Sequence, residues 1–116
     1  MSNDFAETVL VLNRDGLGRG DPVLCHKLVV SYFRTLIELG QFPKAVTFYA
    51  DGVKLVAEGT PCKKELAELS AAGVPLIACR TCLDFHDLLD RVVVGEIGNM
   101  LRIVEAQMSA AKVITL

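Results

Sequence analysis

A chain of 116 residues is long enough to bury one core without disulfides or a metal, and 52% hydrophobic with 22% charged residues excludes intrinsic disorder. A net charge of −2 gives no electrostatic reason to expect nucleic acid or an anionic membrane as partner, and no apolar run approaches the roughly 20 residues that span a bilayer. Met1-Ser2-Asn3-Asp4 lacks the basic region and apolar stretch of a signal peptide, so the expected compartment is the cytoplasm. Thiols stay reduced there, and the four cysteines read as chemistry or packing before they read as structural bridges.

In chain order, Thr8-Val9-Leu10-Val11-Leu12 predicts a fully buried strand, followed by a loop with Gly16, Gly18 and Gly20. Asp21 suits an N-cap with Pro22 at the first helical position, and the helix runs to Leu39 and stops at Gly40. A second strand fits 45–49 and ends at Asp51-Gly52; 53–58 reads equally as a short helical turn or as extended chain. Thr60 and Pro61 begin a helix that ends near Gly73. A third strand is expected over 75–78, a short helix over 82–89, a fourth strand at Val92-Val93-Val94, a last helix over 99–109 and a fifth strand over 113–115.

This alternation predicts one α/β domain over 1–116, a mostly parallel sheet covered on both faces. In such sheets the working surface lies beyond the carboxyl ends of the strands. The glycine loop, Asp51-Gly52, the turn Cys79-Arg80-Thr81-Cys82 and the segment from Gly95 to Asn99 should converge there.

Cys79 closes a buried strand ahead of a helix that Thr81 could cap, with Asp84 completing a capping box. A thiol before a helix N-terminus and beside Arg80 has two reasons to ionise, so it reads as a nucleophile or sulfur carrier, or else as a packed strand-end cysteine. Cys82 completes a C-x-x-C, the spacing of dithiol oxidoreductases. Zinc is not expected, because no second close Cys or His pair exists. Cys62 either faces Cys79 or is an exposed incidental thiol, and Cys25, on the apolar face with Val29, Tyr32 and Leu36, belongs to the core. The three glycines form an anion-binding nest or a flexible turn over the site. His86 is a proton acceptor within reach of Cys79 or a surface histidine, and His26 needs no special role.

Taken together, Asn13-Arg14-Asp15 with Gly18-Arg19-Gly20-Asp21, Phe48-Tyr49 with Gly52-Val53-Lys54-Leu55, Cys79 with Thr81-Cys82-Leu83, Val94-Gly95-Glu96-Ile97-Gly98-Asn99-Met100 and Ala111-Lys112-Val113-Ile114 carry a resemblance over nearly the whole chain. The chain resembles the DsrE-like sulfurtransferase-like domains, most closely the C-terminal domain of YedF-type proteins associated with selenium metabolism. The resemblance implies a three-layer α/β/α sandwich with a five-stranded sheet, assembly into trimers or hexamers, and TusA-like sulfur carriers or other persulfide donors and acceptors as partners. YedF-type proteins usually carry a TusA-like domain ahead of this one; its absence here implies a separate partner. Arg80 stands where a glycine is usual, and Ala50 where a small polar residue is, which implies the loss of a hydrogen bond near the site. By position, Cys79 looks like the cysteine that carries persulfide sulfur in relatives such as TusD and DsrE. The resulting reading is a sulfur-relay protein needing no cofactor, with Cys79 and Cys82 as reactive thiols. Arg80, Thr81, Gly18, Gly20 and Asn99 would stabilise the anion or line the cleft. A dithiol redox protein and a non-catalytic oligomeric binding module are its rivals, and sulfur versus selenium stays open.

Overall fold

The computed structural model describes residues 5–116, and the leader reading of Met1-Ser2-Asn3-Asp4 lies outside the described residues. Five strands, β1 (Thr8–Leu12), β2 (Ala45–Phe48), β3 (Leu76–Cys79), β4 (Glu96–Gly98) and β5 (Lys112–Thr115), form one sheet in the order β4-β3-β2-β1-β5. Every pairing is parallel, so each connection must cross back over a face of the sheet. The crossings use helices α1 (Pro22–Leu39), α2 (Lys63–Ala71), α3 (Arg80–Phe85) and α4 (Met100–Met108), and a 3-10 segment, Ala50–Val56, follows β2. The first three connections step the same way along the sheet and the last returns across it. With right-handed crossovers this puts the first three on one face and α4 on the other, giving three layers. Among the described residues no helix is long and apolar enough to cross a membrane.

The core sits where both faces are covered. Strands β1, β2 and β3 are buried at every position, as their continuous β-branched and aliphatic runs require. Helix α1 begins as its sequence signals: Asp21 accepts the Val23 N–H at 2.9 Å, Pro22 takes the first turn, and Gly40 closes it at φ 65°. Its inward stripe is Cys25, Val29, Phe33 and Leu36.

The fourth strand departs from expectation. Val92-Val93-Val94 is not in the sheet: Val92 forms an isolated antiparallel bridge with Ala57, and the Val93 N–H donates to the Val56 carbonyl at 2.8 Å. The three valines are half-buried, and Val92 and Val93 pair with the end of the 3-10 segment, leaving β4 to Glu96–Gly98. Strand propensity was right about an extended chain, but pairing and not propensity selects which extended segment joins the sheet. Gly95 makes the turn into β4 at φ 84°, so close to β3 that a Cβ would stand 2.9 Å from the Leu76 carbonyl oxygen. Coverage of both faces also fails at the edges, since Glu96, Ile97, Lys112, Val113 and Thr115 are exposed. Other boundaries shift by a few residues: β3 includes Cys79, α2 starts at Lys63 and α3 ends at Phe85.

The 3-10 segment is pressed onto the end of β1. The Cα of Gly52 is so close that a Cβ would sit 1.9 Å from the Leu12 carbonyl oxygen. Both sides of that contact are backbone, so no rotamer can relieve it. Gly52→Ala should cost about 3 kcal/mol, the upper end of overpacking penalties, read as a lower denaturation midpoint at unchanged slope.

Candidate functional site

Strand β3 runs into α3 with no loop between them: Cys79 is both the last strand residue and the helix N-cap, at φ −64° and ψ 118°. A helix start leaves backbone N–H groups without partners, and the Cys79 sulfur accepts one of them, the Cys82 N–H, at 3.4 Å. This corrects the expectation for Thr81. The chain turns helical two residues earlier than expected, at Arg80 and not Cys82, so Thr81 lies inside the first turn, exposed, and forms no capping box with Asp84.

The same turn brings the two thiols together. The Cys82 sulfur lies 2.9 Å from the Cys79 sulfur and donates its S–H to it. It also accepts the Ala50 N–H at 3.2 Å. The Ala50 backbone thus supplies a hydrogen bond to the pair, although its methyl side chain has none to offer. Ala50 reaches that position at φ 51°, a left-handed conformation costing roughly 1–2 kcal/mol in a residue with a Cβ. Burial pushes the Cys82 thiol up, as do its hydrogen bond to Cys79 and the charge that Cys79 can carry, while the Ala50 N–H pulls it down. Cys82 therefore keeps its proton and offers it to Cys79 in a hydrogen bond. Cys79 is 2% exposed; Cys82 is more open.

The other expected site residues do not bond to this pair. Arg80 is exposed, and among the described residues its side chain makes no hydrogen bond or ion pair. Asn99 follows Gly98, the register partner of Cys79, so it stands one residue past the thiol on the neighbouring strand. Its side chain is already engaged, accepting the Arg102 N–H at 2.9 Å as the cap of α4. Gly18 and Gly20 have φ values of 77° and 154°, and their loop folds back onto α1. The Leu17 N–H donates to the Cys25 carbonyl at 3.1 Å, and the Cys25 thiol to the Gly18 carbonyl at 3.7 Å. None of these bonds reaches Cys79 or Cys82. Cys25 itself is buried in the core, as its helical position required.

His86 is not bonded to Cys79 either. Its Nε2 lies 3.3 Å from Asp51, which also meets Lys54 at 3.6 Å. It helps line a cleft of about 310 Å³ with Asp15, His26, Lys54, Glu58 and Thr60, whose walls include neither thiol of the C-x-x-C. Across this cleft His26 pairs with Asp15 at 3.1 Å. Sequence reasoning assigned His26 nothing; the available signal was that the loops after β1 and β2 end on the same edge. Among the described residues, no three His, Cys, Asp or Glu side chains gather as a metal-ligand set.

Cys62 is neither an exposed thiol nor hydrogen-bonded to Cys79. It is fully buried at the start of α2, with the Thr60 hydroxyl 3.5 Å away. Burial pushes its thiol up to about 11 from 9.0; the Thr60 hydroxyl opposes this, and the carboxylates of Glu65 and Asp15 add to it. As pH rises, the unfolded thiol loses its proton near 9.0 while the folded one holds it to about 11. The folded state then binds more protons, so this contribution is intact below 9.0 and is lost as pH climbs to about 11. Stability should fall across that window by up to about 2 kcal/mol, and Cys62→Ala should remove this part of the slope in denaturation measured at several pH values.

Three solved structures share the fold. The chain is similar to the ychN protein of E. coli at 22% identity and a TM-score of 0.67, covering 95% of this chain and 99% of that one. It is similar to MTH1491 of Methanobacterium thermoautotrophicum, a protein of unknown function, at 23% identity and 0.67, covering 94% and 97%. It is also similar to BT1422 of Bacteroides thetaiotaomicron, a conserved protein of unknown function, at 15% identity and 0.66, covering all of both chains. No protein of curated function matches the sequence. The model of the DsrE/DsrF-like family matches residues 30–116, three quarters of the length, with β2 through β5 and the thiol pair inside the match. The chain belongs to the DsrE/DsrF-like family.

Proposed function

We propose that this chain is a sulfur-relay protein carrying sulfane sulfur as a persulfide on Cys79. One observation carries the reading: at the end of β3 the Cys79 sulfur accepts both the Cys82 N–H and the Cys82 S–H. Two donors converge on the atom that bears the thiolate charge before sulfane sulfur arrives and again as it departs. The Cys79 thiolate attacks the outer sulfur of a donor persulfide; the donor's S–S bond breaks, the donor leaves as a thiolate, and Cys79 holds S–SH. An acceptor thiol then takes the outer sulfur in the same way. Because Cys79 is 2% exposed, a donor reaches it after Cys82 turns aside and gives up its 3.2 Å bond to Ala50.

Within the family the reading places the chain near the YedF-type proteins, as one domain over 1–116 acting in the cytoplasm with a TusA-like carrier or another persulfide protein as donor or acceptor. Arg80 supplies a cation beside the site when the partner docks. The test is intact mass and peptide mapping after exposure to inorganic polysulfide. A one-sulfur adduct should form on Cys79, survive in Cys82→Ser and vanish in Cys79→Ser. An adduct that persists in Cys79→Ser, or maps to Cys25 or Cys62, refutes the assignment.

The 2.9 Å separation of the two sulfurs favours a second reading, a dithiol redox protein. A stable Cys79–Cys82 bridge in a glutathione couple, with no sulfane adduct on either variant, would select it.

Association belongs to the same proposal. Helix α4 exposes Met100, Leu101, Val104 and Met108 by 54, 65, 40 and 79%, and Ile97 of the edge strand β4 lies just ahead of them. An apolar surface of this kind marks an association site, and it adjoins the strand paired with Cys79. Light scattering coupled to size exclusion should give a trimer or hexamer, and Leu101→Glu combined with Val104→Glu should reduce it to the 12.6 kDa monomer. A wild-type monomer at micromolar concentration would refute this part.

A further inference from the structure

We propose that Cys82 discharges the loaded site: its thiolate attacks the inner sulfur of the Cys79 persulfide, releasing hydrosulfide and leaving a Cys79–Cys82 disulfide. The proposal rests on Cys79 as the persulfide carrier and adds to carriage a second activity, the reductive release of sulfide.

Geometry selects the sulfur that is attacked. A persulfide offers two electrophilic sulfurs; attack on the outer one passes the sulfane on, and attack on the inner one expels it. The Cys82 sulfur lies 2.9 Å from the Cys79 sulfur, the atom that becomes the inner one. A disulfide bond is about 2.05 Å long, so the remaining approach is under about 1 Å. Exchange at sulfur runs in line, with attacking and leaving atoms on opposite sides of the central one. Once the donor has left and Cys82 swings back, rotation about the Cys79 Cβ–Sγ bond sets the sulfane atom opposite the Cys82 sulfur. Cys62 and Cys25 do not compete, since neither is bonded to the pair: Cys62 meets Thr60, and Cys25 meets the Gly18 carbonyl.

The step balances without an outside oxidant. Cys79–S–SH and the Cys82 thiolate give Cys79–S–S–Cys82 and HS⁻; the bond to the sulfane atom breaks as the bond between the cysteines forms. Two electrons pass from the cysteine sulfurs to the sulfane sulfur, which leaves as sulfide. A low-molecular-weight dithiol would restore the pair for another round.

Loading also arms the attacker. In the empty site Cys82 keeps its proton through burial, through the hydrogen bond it donates to Cys79, and through the charge Cys79 can carry. Once the Cys79 sulfur is bonded to a second sulfur, it no longer bears that charge and is a weaker acceptor. The Ala50 N–H, 3.2 Å from the Cys82 sulfur, remains to stabilise a thiolate there. Cys82 is thus held back before loading and released after it. A carrier built this way hands sulfur to an acceptor that arrives promptly and otherwise sheds it as sulfide.

The test compares wild type with Cys82→Ser. Both are loaded with inorganic polysulfide, rapidly desalted, and followed without added thiol for sulfide release and intact mass. Wild type should release one sulfide for each persulfide lost while the Cys79–Cys82 disulfide appears at the same rate; if discharge outruns desalting, it should already be bridged. Cys82→Ser should keep its persulfide and release sulfide roughly 100-fold more slowly or less, as expected when an oriented intramolecular partner is removed. A wild-type persulfide as durable as that of Cys82→Ser overturns discharge and leaves carriage standing. A persulfide on neither protein overturns both. If Cys82→Ser does not fold, Cys82→Ala replaces it, and wild type alone still decides: persulfide lost without a matching bridge refutes the proposal.

Discussion

A strand that becomes a helix without a loop has to find its cap in its own last residue. Cys79 meets that constraint with sulfur, and the rest of the site follows from it. Accepting the Cys82 N–H fixes the first turn of α3, and the same turn carries the Cys82 side chain to 2.9 Å from Cys79. The Cys82 sulfur in turn takes the Ala50 N–H, which ties α3 to the 3-10 segment after β2. That segment lies where it does because Gly52 allows its backbone to rest on the Leu12 carbonyl. The ends of three parallel strands are thereby linked through two sulfur atoms, and the left-handed Ala50 marks where the linkage is strained.

The chemistry of the pair owes more to backbone and sulfur than to charged side chains. Arg80 points to solvent, Asn99 is spent on its own helix, and His86 is held by Asp51. Carboxylates and imidazoles gather instead around the neighbouring cleft, where His26 and His86 each meet an aspartate. The asymmetry between the two thiols therefore comes from who donates to whom. Cys82 is the donor to Cys79 and an acceptor from Ala50, and that ordering makes the two sulfurs chemically inequivalent.

Burial is distributed unevenly across the sheet, and the unevenness has a simple origin. Three connections cover one face, while α4, nine residues long, has the other to itself and presents several apolar side chains outward. Strands β4 and β5, at the two edges, are short and largely exposed. A domain of this size buries a smaller share of its surface than a larger one, so apolar side chains remain outside.

Much of this was legible in the residues. Hydrophobic runs with period-breaking glycines and prolines indicated β1, α1, β2 and the parallel α/β layering, because such runs can be satisfied only by burial on both faces. The cap at Asp21, the stop at Gly40 and the core position of Cys25 follow from local chemistry that needs no partner. Topology alone brought the ends of β1, β2 and β3 to one edge. What the residues left undecided was always a matter of partners distant in sequence. Val92-Val93-Val94 has the propensity of a strand, yet the chain pairs Glu96–Gly98 with β3, since register with a neighbour outweighs β-branching. Thr81 looks like a cap, but the helix already begins ahead of it, at Arg80. His86 faces Asp51, Cys62 turns inward, and the glycine loop packs on α1, none of which spacing along a chain can specify. The sequence by itself determined most of the elements and their parallel layering, because those depend on short-range periodicity. Tertiary structure decided which sulfur donates and which accepts, because hydrogen bonds from Ala50 to Cys82 join segments 32 residues apart.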